Sequence, residues 1–388
     1  MTLGSIVKVD NFLMLFLALG VCYRGALPSL FCEGIIFFVF VYYILTKQFD
    51  LKNIIFFGNN KFVNFFYSLS FVVFSYSLII YQSVESLKIF YTFFLILPFS
   101  VIFSEPKRAR IFVIISSILV AIVFFICLFN LLNIIRYDEV FYIRDGKMRA
   151  KGFMGSPNYM AYNSAAVFLL LYYGNLKFRL KNLFLLFIFG SVLLTASRGV
   201  TIGLVFCLIF SNFKFNKTGV YSLILGFIVT LYIFIYKPPV LTTFFERFSS
   251  LVEDGNSSGR TDIWTEGYYL WSENLRSIYF GFGFNNFENL LSFYGVDNTV
   301  HNSFLRLLFE FGIIGFIFVI LFFNNSFSSF GWKFNRRIVL ILTITLMWLT
   351  NDFFLLRENF LMITILYTLS LSEQYNISFL NKNNINDR

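Results

Sequence analysis

Three basic side chains in separate polar segments have the clearest capacity for chemistry: Arg198 in TASRGV, Arg260 in SSGRTDIW, and His301, the only histidine in the chain. A guanidinium presents a planar fork of donors that binds phosphate oxygens in pairs and stays charged. Two such groups suit a pyrophosphate leaving group, because they stabilise the charge that develops on it. An imidazole with an unperturbed pKa of about 6.5 accepts a hydroxyl proton near neutral pH. The three residues therefore predict a displacement reaction with a pyrophosphate leaving group.

Each of these residues also has a structural interpretation. An arginine at a helix end often extends to lipid headgroups, and a lone histidine often makes a structural hydrogen bond. Convergence of three segments on one face favours chemistry. Four more basic residues and one amide are candidate acceptor-binding residues, with anionic lipid as the alternative partner of the basic four: Arg144, Lys147, Arg149, Lys151 and Asn302.

Metal catalysis is disfavoured by the spacing of the acidic residues in the predicted outer loops. Aspartates in these loops do not form a doublet at the spacing of metal ligands. They are Asp138, Asp145, Asp254, Asp262 and Asp297. We expect neither a metal ion nor a cofactor.

The elements that position these residues are predicted to be membrane-spanning helices. The chain is 58% hydrophobic and 13% charged, whereas soluble domains carry roughly 25% charged residues. Apolar runs approach the length that crosses a bilayer, about 20 residues. They predict a single polytopic all-α domain over residues 1–388, with about twelve transmembrane helices at 10–23, 27–46, 62–82, 86–104, 111–133, 157–174, 183–196, 199–213, 218–236, 303–323, 338–354 and 360–372.

Basic residues predict the orientation of these spans. Every second loop is short and rich in lysine or arginine, as in EPKRAR and NLKFRLKN, and such loops face the cytoplasm. The net charge of +10 is explained by these loops and does not indicate nucleic-acid binding. Both termini and a tail at 373–388 are predicted to be cytoplasmic, with the Asn-rich end NKNNINDR disordered.

Two longer polar loops then face outward, at 134–156 and 237–302. From Thr261 onward, apolar residues recur at helical spacing and predict an amphipathic helix at the membrane surface. The following GFGFNNF predicts a glycine-rich turn. All the candidate residues fall on this outer side.

Four segments together resemble the superfamily of O-antigen ligases and O-antigen polymerases of bacterial inner membranes. HNSFLRLLFEFGIIG resembles its signature of histidine, amide and Gly-x-x-Gly, at His301, Asn302, Gly312 and Gly315. SRG at 197–199 and SSGRTDIW at 257–264 resemble its two arginine motifs. GFMGSPNYMA at 152–161 resembles its G-x-x-x-x-P-N segment.

The resemblance implies a metal-independent glycosyltransferase of GT-C-like fold, multi-pass in the inner membrane, with a periplasmic active face and a large periplasmic loop containing short amphipathic helices. It implies a donor glycan on undecaprenyl pyrophosphate, bound by Arg198 and Arg260, with His301 as general base or acceptor-orienting group. Gly312 and Gly315 are then expected to allow close helix packing. Implied partners are inner-membrane lipids, a chain-length regulator and a flippase.

The acceptor separates the members of this superfamily. A polymerase transfers the growing glycan from its carrier to a new lipid-linked repeat unit, and a ligase transfers the finished chain to lipid A–core. The high Phe, Ile and Asn content and moderate length resemble polymerases of surface-polysaccharide loci. A flippase for lipid-linked oligosaccharides is the third alternative, but such a carrier should hold its charges near the membrane midplane.

Overall fold

The computed structural model describes most of the chain. The described residues are 3–23, 29–49, 94–135, 137–144, 147–174, 179–211, 260–283, 300–330, 332–349 and 357–386, together with the single residues Ser68, Ser75, Ile79, Leu176, Phe287 and Leu290. Apart from the single residues, the predicted spans 62–82 and 218–236 and the first part of 86–104 lie outside this set.

Helices dominate the described residues and agree in position with the predicted spans there. The helices are α1 Leu3–Cys22, α2 Ser29–Leu45, α3 Ile96–Ile102, α4 Pro106–Leu131, α5 Pro157–Tyr173, α6 Lys181–Leu194, α7 Arg198–Phe210, α8 Arg260–Ser272, α9 Leu275–Phe280, α10 Ser303–Ser328, α11 Phe334–Trp348 and α12 Arg357–Asn386. The amphipathic helix predicted from Thr261 is α8. Within the described part of the chain, the all-α expectation holds except for one two-stranded hairpin.

Two of the described helices, α4 and α10, have both the length and the apolar composition needed to cross a membrane. The described residues also contain four shorter apolar helical segments, at Val9–Cys22, Phe31–Leu45, Lys181–Leu194 and Arg198–Phe210. The full number of spans therefore stays a prediction.

A small hairpin interrupts the helices within the predicted outer loop 134–156. Strands β1 Phe141–Arg144 and β2 Lys147–Ala150 pair antiparallel, with Tyr142 opposite Arg149. Side chains on its buried face, including Phe141 and Ala150, join a cluster with Val123 of α4 and Leu194 of α6. The sequence pattern predicts no strand here, because four-residue strands carry too short an alternation to distinguish from a loop.

Contacts at the two ends of α5 fix the relative direction of three helices. At the end of α5, the carbonyl of Tyr173 accepts from Arg336 at the start of α11, and the Tyr173 hydroxyl contacts Cys207 near the end of α7. Near the start of α5, the Tyr162 hydroxyl accepts from the indole of Trp348, the last residue of α11. The starts of α5 and α7 are also linked, because Arg149 donates both to Asn158 and to the Thr195 carbonyl just before α7. Helix α7 therefore runs parallel to α5, and α11 runs antiparallel to both.

Basic residues cap the C-terminus of α5. Lys181 donates to the carbonyl of Tyr172, and Arg336 donates to that of Tyr173 while lying 4.2 Å over the Trp332 ring. Carbonyls of the last helical turn have no partner within the helix, and cations there also interact favourably with the helix dipole. Two residues of the predicted cytoplasmic loops thus stabilise a helix end directly.

Helix α10 is broken at Gly312, whose φ of 64° and ψ of −174° are not helical. The loop after α9 lies in the break: the N–H groups of Phe282 and Gly283 donate to the carbonyls of Phe309 and Glu310 at 2.9 and 2.8 Å. A Cβ on Gly312 would lie 2.3 Å from the Tyr279 carbonyl. The close packing expected at Gly312 is therefore found against the last turn of α9, because Tyr279 and Phe280 belong to that helix.

The disorder predicted for NKNNINDR is wrong at residues 381–386, which are helical. Helix α12 continues without interruption through 373–386. Its first part, from Phe360 to Leu369, is packed in the core. Once a helix is nucleated by packing, each further residue adds a hydrogen bond that roughly offsets the entropy lost in fixing it, so a polar composition alone does not end the helix.

Candidate functional site

Arg198 is held by a tight turn between α6 and α7. Thr195 ends the last turn of α6, Ala196 adopts a φ of 51°, and Arg198 is the first residue of α7. The Thr195 hydroxyl donates to the Val192 carbonyl and accepts from the Ser197 N–H. Arg198 is partly buried, and this desolvation lowers the pKa of its guanidinium, which still stays protonated at neutral pH. The turn therefore presents a fixed positive charge.

The side chain of Arg149 connects this turn to two other segments. From β2, its Nε donates to the Thr195 carbonyl at 2.8 Å, and its Nη2 donates to Asn158 Oδ1 at 2.9 Å. Asn158 lies in the first turn of α5, where Ser156 is the N-cap and Pro157 the first helical residue. The basic hairpin, the GFMGSPN segment and the Arg198 turn are therefore joined by one guanidinium.

His301 occupies a strained backbone position just before α10. Its φ is 48°, in the left-handed region that non-glycine residues rarely adopt, and its side chain is partly buried. Asn302 follows as N-cap, with Oδ1 accepting from the N–H groups of Phe304 and Leu305 at 3.0 and 3.2 Å. Such strain costs on the order of 1–3 kcal/mol and is concentrated at functional sites.

Helix α8, whose first residue is Arg260, is attached to the segment of His301. The Trp264 indole donates to the Val300 carbonyl at 2.8 Å, one residue before His301. A ring of Phe309 and the side chain of Phe287 pack against Gly267 in a small core shared with α10. Since Trp264 is about one turn from Arg260, the Cα atoms of the two are roughly 6 Å apart. Only the backbone of Arg260 belongs to the described structure.

Helix α11 connects the surroundings of Arg198 and His301. A Cβ on Gly203 of α7 would lie 2.9 Å from Met347. The neighbouring Trp348 ring lies 5.9 Å from the ring of Phe304, three residues after His301. Since α7 and α11 run antiparallel, these contacts bring the start of α7, the end of α11 and the start of α10 to one end of the helices, which we call the site end.

The other candidate acceptor-binding residues are partly described. The backbones of Arg144 and Lys147 form the last pair of the hairpin, but their side chains lie outside the described structure. Lys151 is partly buried, and its N–H donates to the Val140 carbonyl. Asn302 uses its carbonyl oxygen for capping, and Arg149 uses two donors for the contacts above. Asn302 and Arg149 therefore both form hydrogen bonds to other groups of the protein.

A buried polar network at the site end was not found from the sequence. The Tyr162 hydroxyl accepts from Trp348 at 3.2 Å and donates to the Asn359 amide oxygen. Asn359 and Trp348 are separated from Tyr162 by 197 and 186 residues in the chain. These residues look like ordinary polar or aromatic positions near span ends, so no local pattern singles them out.

Arg306 and Glu310 form a separate polar pair on α10, after His301 in the chain. Glu310 is fully buried, and its carboxylate accepts from the Arg306 guanidinium at 3.0 Å. The pair is spaced i, i+4 on α10, just before the break at Gly312. Among the described residues, no group of three His, Cys, Asp or Glu side chains is arranged to hold a metal ion.

The described fold and site define a class of protein: an apolar helical protein whose cationic candidate residues lie at one end of its helices. Residues 183–320 match the model of a family described as O-antigen ligase. The matched segment contains Arg198, Arg260 and His301, and the match supports the resemblance of the sequence motifs to the superfamily of O-antigen ligases and polymerases. No curated protein matches the chain.

Proposed function

We propose that the protein is an O-antigen polymerase. It transfers the growing glycan from undecaprenyl pyrophosphate to a new lipid-linked repeat unit at the periplasmic face of the bacterial inner membrane. The observation that carries the proposal is the set of contacts that join the Arg198 turn, the start of α8 and the His301 segment through α11 and Trp264. The family match supports the general class of reaction.

The proposed reaction is a displacement at the anomeric carbon of the donor sugar. An acceptor hydroxyl forms the new glycosidic bond, and the bond from carbon to the pyrophosphate oxygen breaks. Arg198 and Arg260 bind the departing pyrophosphate and stabilise its charge. His301 accepts the hydroxyl proton, contributing about 10²–10⁴-fold to the rate, as general bases typically do. Neither a metal ion nor a nucleotide sugar enters this scheme.

The acceptor is the second substrate of the proposed site. Its own pyrophosphate would be bound near the basic hairpin by Arg144, Lys147 and Lys151, with Asn302 near the sugar. Charge attraction between these residues and a pyrophosphate supports this assignment. Both substrates carry polyprenyl tails, so the transfer is proposed to take place at the membrane surface.

A ligase is the alternative, since the matched family is described by that activity. A glycan gel of a deletion strain separates the two functions. Loss of a polymerase leaves lipid A–core carrying one repeat unit, whereas loss of a ligase leaves unsubstituted core and full-length chains on the lipid carrier. An unchanged ladder after deletion would contradict both. Repeat units stranded on the inner leaflet would indicate the flippase instead.

A further inference from the structure

The guanidinium of Arg149 has the geometry of a clamp rather than of a substrate-binding group. It lies on β2 and is partly buried. Its Nε–H donates to the Thr195 carbonyl at 2.8 Å and its Nη2–H donates to Asn158 Oδ1 at 2.9 Å. Hydrogen bonds from a charged donor contribute more than neutral ones, and a planar fork loses little freedom in making two of them.

The acceptor of the first bond is a carbonyl that the helix cannot satisfy. Thr195 is the C-cap of α6, and carbonyls at a helix C-terminus have no partner within the helix. The chain then reverses through Ala196 at a φ of 51°, a left-handed conformation that is unfavourable for alanine because its Cβ approaches the following carbonyl oxygen. An external donor on the Thr195 carbonyl offsets part of that strain and holds the reversal in place.

Apolar packing fixes the hairpin against the same turn. Ala150, next to Arg149 on β2, lies in the buried cluster with Leu194, the residue immediately before Thr195. Neighbouring residues of a strand face opposite sides, so β2 packs through Ala150 and hydrogen-bonds through Arg149. The backbone of the turn is thus held from two directions, three residues before Arg198.

We propose that Arg149 is a positioning residue that holds the Arg198 turn in the geometry needed to bind pyrophosphate. The effect of Arg149 on pyrophosphate binding rests on the proposed function. The hydrogen bonds by which Arg149 holds the turn do not depend on that function. The alternative is that Arg149 binds an anionic substrate directly. In that case the positive charge of Arg149 matters more than the planar geometry of its guanidinium. The losses of binding caused by replacing Arg149 and Arg198 are then additive.

The first experiment measures the turn itself in purified full-length protein. Hydrogen–deuterium exchange of the segment 195–201 is compared in wild type, Arg149→Met and Asn158→Ala, with Ile143→Thr as the matched control. Ile143 is 64% exposed on β1, and threonine keeps its branched Cβ. We expect exchange in this segment to rise roughly tenfold in Arg149→Met, the effect of losing a charged hydrogen bond, and less in Asn158→Ala. Unchanged exchange in Arg149→Met overturns the clamp.

The second experiment is a double-mutant cycle on binding of farnesyl pyrophosphate, a short polyprenyl pyrophosphate probe. Arg149→Lys keeps the charge but not the fork, so we expect it to weaken binding roughly tenfold. The same change in an Arg198→Ala background should have almost no further effect, because Arg149 acts through Arg198. Additive losses, or wild-type binding by Arg149→Lys, overturn the positioning role.

The two experiments also separate failure of the inference from failure of the proposed function. If wild type does not bind the probe but the turn loosens in Arg149→Met, the pyrophosphate assignment is wrong and the clamp stands. If Arg198→Ala weakens binding and Arg149→Lys does not, the assignment stands and the positioning role is wrong.

Discussion

At the scale of single residues, the backbone conformations of the candidate site are as informative as its charges. Described non-glycine residues with positive φ include His301 itself and Ala196, two residues before Arg198. Strain of this kind persists only where the surrounding structure imposes it. The surroundings here are the Arg149 hydrogen bonds at one position and the Asn302 cap with the Trp264–Val300 bond at the other.

The positive φ of His301 makes asparagine the appropriate replacement for testing the proposed base. Asparagine tolerates the left-handed region, whereas alanine would add strain, and an amide does not accept a proton at neutral pH. We expect His301→Asn to lower chain growth by about 10²–10⁴-fold with an unchanged thermal midpoint. A glycan ladder of normal length in this variant removes the base from the mechanism.

Replacing either candidate arginine by lysine tests the pyrophosphate contact without removing charge. We expect Arg198→Lys and Arg260→Lys to lose most chain growth, since an ammonium does not form paired contacts with two oxygens. Arg276→Lys is the matched control, because Arg276 is exposed on α9 in the same predicted outer loop. The measurement is the ladder in a complemented deletion strain at equal protein level. Full ladders from both lysine variants contradict the assignment.

At the scale of elements, the break in α10 determines how the polar loop meets the apolar helix. Gly312 and Gly281 lie on opposite sides of one backbone crossing: a Cβ on Gly281 would lie 2.3 Å from the carbonyl carbon of Glu310. The two hydrogen bonds across the crossing satisfy carbonyls that the break leaves without helical partners. The segment of α10 that follows His301 is thereby fixed to α9.

Gly312→Ala should destabilise the protein by at least about 2 kcal/mol, because the new Cβ meets backbone atoms and alanine disfavours positive φ. Gly34→Ala is the control, since a Cβ there meets nothing within 4 Å and the residue lies inside α2. We expect that variant to be neutral or slightly stabilised, as alanine favours helix. The measurement is thermal unfolding in detergent. Equal midpoints for the two variants contradict the described crossing.

At the scale of the whole molecule, polar groups are used differently at the two ends. Away from the site end, Arg108 of α4 forms an ion pair with Asp10 of α1 at 3.5 Å, and the Tyr43 hydroxyl donates to Asp10 at 2.8 Å. The guanidinium also forms an ion pair with Glu105 at 3.0 Å and lies 3.8 Å over the Tyr43 ring, so these contacts of Arg108 are made within the protein. At the site end, by contrast, the candidate cations lie next to a polar loop.

The Asp10–Arg108 pair is predicted to be structural. Asp10→Asn leaves the buried guanidinium, among the described residues, with only the partly exposed Glu105 carboxylate, at 3.0 Å, and should cost about 1–3 kcal/mol, seen as a lower thermal midpoint. The double replacement Asp10→Leu with Arg108→Met should lose much less, because both charges are removed together. Glu105→Gln is the comparison: it removes the other described ion pair of Arg108 and should cost less than Asp10→Asn, because the Glu105 side chain is 43% exposed and its charge is screened by solvent. A double variant as unstable as Asp10→Asn contradicts this interpretation.

Activity of the whole protein should not depend on a divalent cation. The scheme assigns charge neutralisation to guanidinium groups, which are permanently protonated. We expect EDTA to leave glycan transfer by membrane vesicles unchanged within about twofold, with a metal-dependent glycosyltransferase assayed in parallel as the inhibited control. Strong inhibition that added Mg²⁺ reverses would require a metal in the mechanism.

The length of the apolar runs in the sequence predicted most of the described helices, because an apolar segment of that length satisfies its backbone hydrogen bonds within itself by forming a helix and needs no partner far along the chain. The motifs around Arg198, Arg260 and His301 likewise predicted the resemblance that the family match over residues 183–320 supports, since residue type and local spacing carry that information. Only the tertiary structure decided which of these segments contact one another. The Arg149 clamp, the Tyr162–Trp348–Asn359 network and the loop seated at Gly312 join segments distant in the chain, and no local pattern specifies which carbonyl a distant donor will meet.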